Sequence, residues 1–364
     1  MKSLPYVVIA VLVAACAKGS ETGRTDSAAG STPAAASTGS GGVDLTGAGA
    51  TFPQPIYKKW FTDYAAKTGV NINYQAIGSG GGIRQLQEQT VDFGASDAPM
   101  TDEEMAKAKG GPIVHIPTVL GADVVTYNLP ELQQPLKFTG ELVADVFLGR
   151  VRKWNDPRIA GLNAGVSLPN RDIVVVHRSD GSGTTYIFTD YLTAVSNAWK
   201  NGPGKGKEIS WPTGLGAKGN EGVAGQVKQT PGSIGYVELA YAKQNKLPTA
   251  AIRNAAGQFV TPSIESATAA AAGVAAKLAA NTDYRISIVN APGANAYPIS
   301  SFTWLLVYKN QPNAEKGRKL LDFIKWALHE GEQSAATLDY APLPSAFVTR
   351  LDSTITTIQV GANP

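Results

Sequence analysis

The chain has 364 residues, with 32 basic and 29 acidic side chains for a net charge of +3, 43% hydrophobic residues and 39 glycines. That length and balance exclude a disordered chain, a coiled coil and a single small core, and they suit a turn-rich α/β protein of two domains or one large one. Acids and bases are scattered in mixed order without a basic stripe, so no nucleic-acid partner is expected.

The N-terminus opens with Lys2 and then the apolar run Leu4–Ala15. This run is too short to span a bilayer and suits the apolar region of a signal peptide. It ends in Val13-Ala14-Ala15-Cys16, which resembles a bacterial lipobox, with Cys16 as the acceptor of the lipid. Cys16 is the single cysteine in the sequence, so no internal disulfide is expected. The bland alternative is an ordinary signal peptide cleaved after Ala15. Residues 16–42 are Gly, Ser, Thr and Ala with few charges, which reads as a tether.

Folded sequence is expected from Val43. Ile56, Trp60, Phe61 and Tyr64 mark one helix face that stops at Gly69. Val70–Ile77 alternates like a strand, Gly78–Gly82 reads as a glycine loop, and Ile83–Gln89 as a helix. A short strand at Phe93–Ala95 leads to Asp97, and Thr101 to Glu104 has capping-box spacing. Two strands are expected at Ile113–Val119 and Asp123–Tyr127, then a helix at Gly140–Phe147.

The apolar run Ile173–Val176 reads as a buried strand. It runs into His177-Arg178-Ser179-Asp180-Gly181-Ser182-Gly183-Thr184-Thr185, after which Tyr186–Leu192 has helical spacing. Asn201–Lys207 is expected to be a loop, Ile234–Val237 a strand, Thr268–Ala280 a helix, Phe302–Tyr308 a strand and Ala314–His329 a helix. The alternation predicts a mostly parallel sheet.

Strand, Gly/Ser/Thr turn and helix start point free N–H groups and hydroxyls at one spot, at the positive end of a helix dipole. Arg178 stands at the mouth of that turn, with Asp180 spaced to hold it. Related arrangements occur at Thr46–Pro53 and Gly78–Gly82. One such turn is most simply a structural N-cap, whereas three favour converging helix starts around an oxyanion. No Gly-Lys-Ser/Thr follows Gly78, which excludes a P-loop. Asp180 and Thr184 occupy the places where a nucleophile elbow around Ser182 needs glycine. His115, His177 and His329 share no metal-ligand spacing, so neither metal nor cofactor is expected.

Val91-Asp92-Phe93-Gly94-Ala95-Ser96-Asp97 presents two carboxylates. Asp92 reads as a turn cap. An ionised Asp97 is acceptor-only, so beside an oxyanion it repels unless the ligand brings a proton. Phosphate retains one near neutral pH and sulfate does not.

Thr46–Pro53, Val91–Pro99, Asp180–Thr184 and Gly235–Glu238 together resemble the signature blocks of the phosphate-binding proteins of bacterial phosphate-specific ABC transporters. The resemblance runs from about Leu45 to about Pro344. It implies a two-lobed periplasmic-binding-protein fold of type II-like form, joined by a two-crossover hinge. The lobes would be 43–124 with 298–364, and 125–297. It implies phosphate ligands at Thr51, Phe52 through its backbone N–H, Ser79, Asp97, Arg178, Ser182, Gly183 and Thr184, with Asp180 in support. The implied partners are inorganic phosphate and the membrane permease and ATPase subunits of an importer. On this reading the protein is a monomer without catalytic activity, lying in the periplasm or at the cell-envelope surface and touching membrane only through a lipid on Cys16. Gly80 stands where relatives often carry serine. The rival readings are an exported phosphatase or esterase using Ser182 or Thr184, and a binding protein for sulfate or molybdate.

Overall fold

The computed structural model describes residues 44–274 and 283–361. The expected signal segment, Cys16 and the tether lie outside the described residues, as does the expected helix beyond residue 274.

Eight strands build the main sheet: β1 Leu45–Gly49, β2 Ile72–Ala76, β3 Phe93–Ser96, β4 Ile113–Tyr127, β5 Val174–Arg178, β6 Leu215–Ala217, β7 Ser233–Glu238 and β8 Ser300–Tyr308. Their order across the sheet is β2-β1-β3-β8-β4-β7-β5-β6. At one end β1 runs parallel to β2 and β3, and at the other β5 runs parallel to β7 and β6. Between them the junctions β3-β8, β8-β4 and β4-β7 are antiparallel. The sheet is thus mainly parallel with an antiparallel centre, because β4 and β8 link two strand–helix–strand halves.

β4 is where the halves join. Residues up to Ala122 pair with β8, and residues from Asp123 pair with β7. The sequence reads as two strands broken near Gly121, but β4 runs unbroken for 15 residues. Gly121 is there for room rather than for a turn: a Cβ on it would lie 2.5 Å from Cε1 of the Phe52 ring.

A second correction concerns the glycine loop. Ser79–Gln87 is helical from its first serine, so Ser79-Gly80-Gly81-Gly82 forms the opening turn. Glycine disfavours a helix interior by roughly 0.5–1 kcal/mol. Here it allows close packing, since a Cβ on Gly82 would lie 2.4 Å from the Ala48 carbonyl oxygen. The helix therefore lies directly on β1.

Other elements follow their local signals. Gln54–Thr68 ends at Gly69 in the left-handed conformation, and Thr101 and Glu104 form both bonds of the capping box. Gly140–Phe147 and Ala314–His329 have the expected bounds. The alanine-rich helix Ile264–Gly273 starts earlier than its apolar spacing predicts, because Ser263 and Ser266 form a capping box.

Two aromatic cores support the halves. Phe61 and Tyr64 pack on Phe323 of the 314–329 helix, with centroids 5.4 and 5.3 Å apart. In the other half Phe188 stacks on Tyr236 at 4.3 Å, backed by Phe147 and Trp211. That second stack places the Tyr236 hydroxyl beneath the turn after β5.

Candidate functional site

β5 ends at Arg178, and helix Gly183–Val195 begins five residues later with Ser182 as N-cap, accepting from the Thr185 N–H at 3.0 Å. Buried Arg178 is held on all sides. Its Nε and Nη2 donate to Asp180 at 2.8 and 2.5 Å, and its Nη1 donates to Thr184 Oγ1 at 3.2 Å. Its backbone N–H donates to the Tyr236 hydroxyl at 3.1 Å, and that hydroxyl bonds Thr185 Oγ1 at 2.6 Å. The bidentate fork fixes the guanidinium plane. Burial opposes both charges, yet the arginine's hydrogen bond and charge, with the Gly219 N–H, hold the Asp180 acid below the usual carboxylate range.

Thr51, Ser79 and Asp97 come from the ends of the β1, β2 and β3 segments; Ser79 and Asp97 approach this turn at Gly183, and Thr51 reaches it through Asn220. Ser79 Oγ accepts from the Gly183 N–H at 3.0 Å and from the Asp97 N–H at 3.2 Å. The Gly80 N–H donates to the Gly181 carbonyl at 2.8 Å. Asp97 is 1% exposed, and its Oδ1 accepts from Thr303 Oγ1 at 2.7 Å. Burial pushes its acid up to about 7, against the opposing pull of Thr303, Arg178 and Ser79. Phe52 lies beside Thr51, buried, with its carbonyl accepting from the Tyr340 hydroxyl at 2.7 Å.

Hydroxyls, backbone N–H groups and one guanidinium thus converge with the buried carboxyl of Asp97, while the second carboxylate, Asp180, is taken up by Arg178 and the Gly219 N–H. Such a set holds an anion that accepts many hydrogen bonds and donates one. The Ser182 hydroxyl is engaged as an N-cap, and His177 is stacked on Trp211 at 4.7 Å with its Nδ1 bonded to the Arg178 carbonyl at 3.0 Å. Asp92 accepts from the Thr46 N–H at 2.7 Å and pairs with Lys316 at 2.9 Å, which ties β1 to the 314–329 helix. Among the described residues no three His, Cys, Asp or Glu side chains cluster as metal ligands would.

Sequence reasoning missed Asn220, Thr303 and Tyr236. Asn220 is fully buried at the start of helix Gly219–Gln229, and its Nδ2 donates to both Thr51 Oγ1 at 2.9 Å and Thr184 Oγ1 at 3.0 Å. The only local signal is a Gly-Asn pair before a weakly amphipathic helix, which reads as an ordinary turn. Thr303 lies in the middle of an apolar strand, where a threonine needs no function.

Residues 27–330 match the family model of the PBP superfamily domain. The chain is 48% identical over 310 residues to the phosphate-binding protein PstS of Haemophilus influenzae, an alignment covering 85% of this chain and 91% of that protein. It is 47% identical over 310 residues to the PstS of Pasteurella multocida, covering 85% and 89%. With the PstS of Methanocaldococcus jannaschii it shares 41% over 304 residues, covering 78% of each. Its fold is similar to that of PfluDING, a high-affinity periplasmic phosphate-binding protein solved with phosphate, at a TM-score of 0.67 and 21% identity over 85% of this chain and 93% of that one. It is likewise similar to the phosphate-binding protein of Stenotrophomonas maltophilia, at a TM-score of 0.67 and 20% identity over 85% and 93%. With a matching family model over most of its length and relatives of nearly half identity, the chain belongs to the PstS phosphate-binding proteins of the PBP superfamily.

Proposed function

We propose that this protein captures inorganic phosphate outside the cytoplasmic membrane and delivers it to the permease and ATPase subunits of an ABC-type importer. Asp97 is the observation that carries the reading. Once ionised, above about pH 7, this buried acceptor beside a fixed arginine and a ring of donors demands a ligand that is anionic and still carries a proton. Phosphate meets both demands near neutral pH, and sulfate would leave the carboxylate facing an unprotonated oxygen. Sites of this type discriminate by up to roughly 10⁴–10⁵. The relatives' names support the same ligand.

The ligand set is Thr51, the Phe52 backbone N–H, Ser79, Asp97, Arg178, Ser182, Gly183, whose N–H is shared between Ser79 Oγ and the anion, and Thr184, with Asp180 orienting the arginine. Residues 43–124 with 298–364 form one lobe and 125–297 the other. Phosphate bridges them and favours closure through contacts that exist only when the lobes meet. The chain turns over no substrate. It acts as a monomer, and a lipid on Cys16 holds it to the membrane surface. Among the described residues no helix is long and apolar enough to cross a membrane.

Calorimetric titration with phosphate, competed by sulfate and molybdate, tests the assignment. One strong phosphate site with weak competition is expected, and Asp97→Asn narrows the gap. Equal competition by sulfate in the unmodified protein would sink the role of Asp97. Hydrolysis of a chromogenic phosphate ester, abolished by Ser182→Ala, would favour an enzyme instead. Intact mass of the mature protein reads the Cys16 lipid directly.

A further inference from the structure

We propose that Asn220 is a positioning residue of this site, which turns the hydroxyl protons of Thr51 and Thr184 toward the anion and ties the two sides of the cleft together. The proposal rests on the phosphate reading above and specifies how its donors are kept as donors.

A hydroxyl carries one proton and two lone pairs. Thr51 Oγ1 accepts from the Asn220 backbone N–H at 3.1 Å and from Asn220 Nδ2 at 2.9 Å. Thr184 Oγ1 accepts from Asn220 Nδ2 at 3.0 Å and from Arg178 Nη1 at 3.2 Å. Both lone pairs of each threonine face a group that can only donate. What each hydroxyl has left is its proton, which is free to point at the ligand. Asn220 spends both amide protons in doing this.

The orientation of the amide is itself determined. Asn220 Oδ1 accepts from the Glu238 backbone N–H at 2.9 Å, and a backbone N–H has no acceptor role, so the other terminal atom is the nitrogen. The neighbouring Gly219 N–H donates to Asp180 Oδ1 at 3.1 Å. One helix start therefore holds the carboxylate that aims Arg178 and also fixes two hydroxyls. Ser79 shows the same logic, since its oxygen accepts from two backbone N–H groups. Three hydroxyls are thus committed as donors, and Asp97 stands apart as the acceptor.

Phosphate titration of the full chain, wild type against Asn220→Asp, Asn220→Ala, Thr184→Val and the Asn220→Ala/Thr184→Val pair, tests this, with thermal unfolding of each without phosphate. Asn220→Asp keeps the acceptor for Glu238 but replaces the donor by a second acceptor, which draws the threonine protons away from the anion. It should weaken binding more than Asn220→Ala, which should cost about 10- to 100-fold. The Asn220→Ala loss should shrink several-fold in the Thr184→Val background, because one of its hydroxyls is gone. If Asn220→Ala does not fold, Asn220→Asp decides alone. Affinities within about threefold of wild type, losses that simply add, or an unfolding shift with unchanged affinity would each overturn the proposal. Failure of the wild-type protein to bind phosphate would overturn the functional reading as well, and it appears in a different arm.

Discussion

A methyl group placed on Gly183 would stand 2.6 Å from Asp97 Oδ2 and 2.5 Å from Ser79 Oγ. The two sides of the cleft meet at a residue with no side chain. Gly183 is the first residue of its helix, so alanine suits its backbone and would obstruct only the approach of Ser79 and Asp97. Gly183→Ala is expected to weaken phosphate binding by at least about 100-fold, since closure contacts rather than single bonds are lost. Its unfolding midpoint without phosphate should stay within a few degrees of wild type. Calorimetry paired with thermal unfolding reads both, and unchanged affinity would show that the cleft closes differently.

The pH dependence of stability follows from buried acids. Burial lifts Asp97 to about 7, and it lifts Asp123 and Glu238 well above the usual carboxylate range. Asp123 and Glu238 face each other across the β4-β7 ladder, and neither Asp123 oxygen has a hydrogen-bond partner among the described residues. An acid with a raised pKa in the folded state keeps its proton where the unfolded chain has lost it. Buried His115, lowered to about 4, pulls the other way up to about pH 6.5, but Glu332, raised to about 8, adds to the acids. Between about pH 4 and 7 the native state therefore binds more protons, and stability falls as pH rises. The ligand-free protein should unfold at lower temperature at pH 8 than at pH 5. Asp97→Asn should flatten that slope without removing it, because Asp123 and Glu238 remain. A midpoint that rises across this window would contradict the burial argument.

How much of this was legible in the sequence depends on how local each signal is. The turn after β5 was readable because an apolar strand, an Arg-x-Asp pair, an N-cap serine and a helical repeat lie consecutively within one stretch. The Ser79 helix and the unbroken β4 were not. Glycine in sequence signals a loop or a break, and only the contacts of Gly82 with β1 and of Gly121 with Phe52 reveal that both glycines serve close packing. Asn220 was invisible for another reason. Its partners Thr51, Thr184 and Glu238 are distant in the chain, and an asparagine at a helix start has an ordinary local explanation.

Arg178→Lys looks conservative and should not be. Lysine cannot reproduce the fork on Asp180 while also reaching Thr184 Oγ1, and the ammonium is more strongly hydrated. Removing the fork also leaves Asp180, whose side chain is 11% exposed, without its main partner. Arg178→Lys should cost at least about tenfold in phosphate affinity and Arg178→Ala about 100-fold or more, with a lowered unfolding midpoint for both. Titration calorimetry separates the two variants, and equal binding by lysine would mean that charge alone, not the planar fork, holds the anion.

The ion pair between Lys207 and Glu104 gives a contrasting expectation. It joins the helix after Asp97 to the loop before Ile209 at 2.7 Å, with side chains 16% and 24% exposed. The Lys207 carbonyl also receives the Ser182 N–H at 3.0 Å, so this loop is coupled to the turn after β5. The contact is partly wet, and such pairs contribute only about 0.2–1 kcal/mol. Glu104→Gln is the cleanest probe, because glutamine still completes the capping box with Thr101. It should weaken phosphate binding by less than about fivefold. The loss should appear at low salt and fade at high salt as screening removes the pair in the wild type too. Stopped-flow release of phosphate at two ionic strengths measures this. A loss as large as that of Arg178→Ala would mean that the ion pair, rather than the buried cluster, keeps the cleft shut.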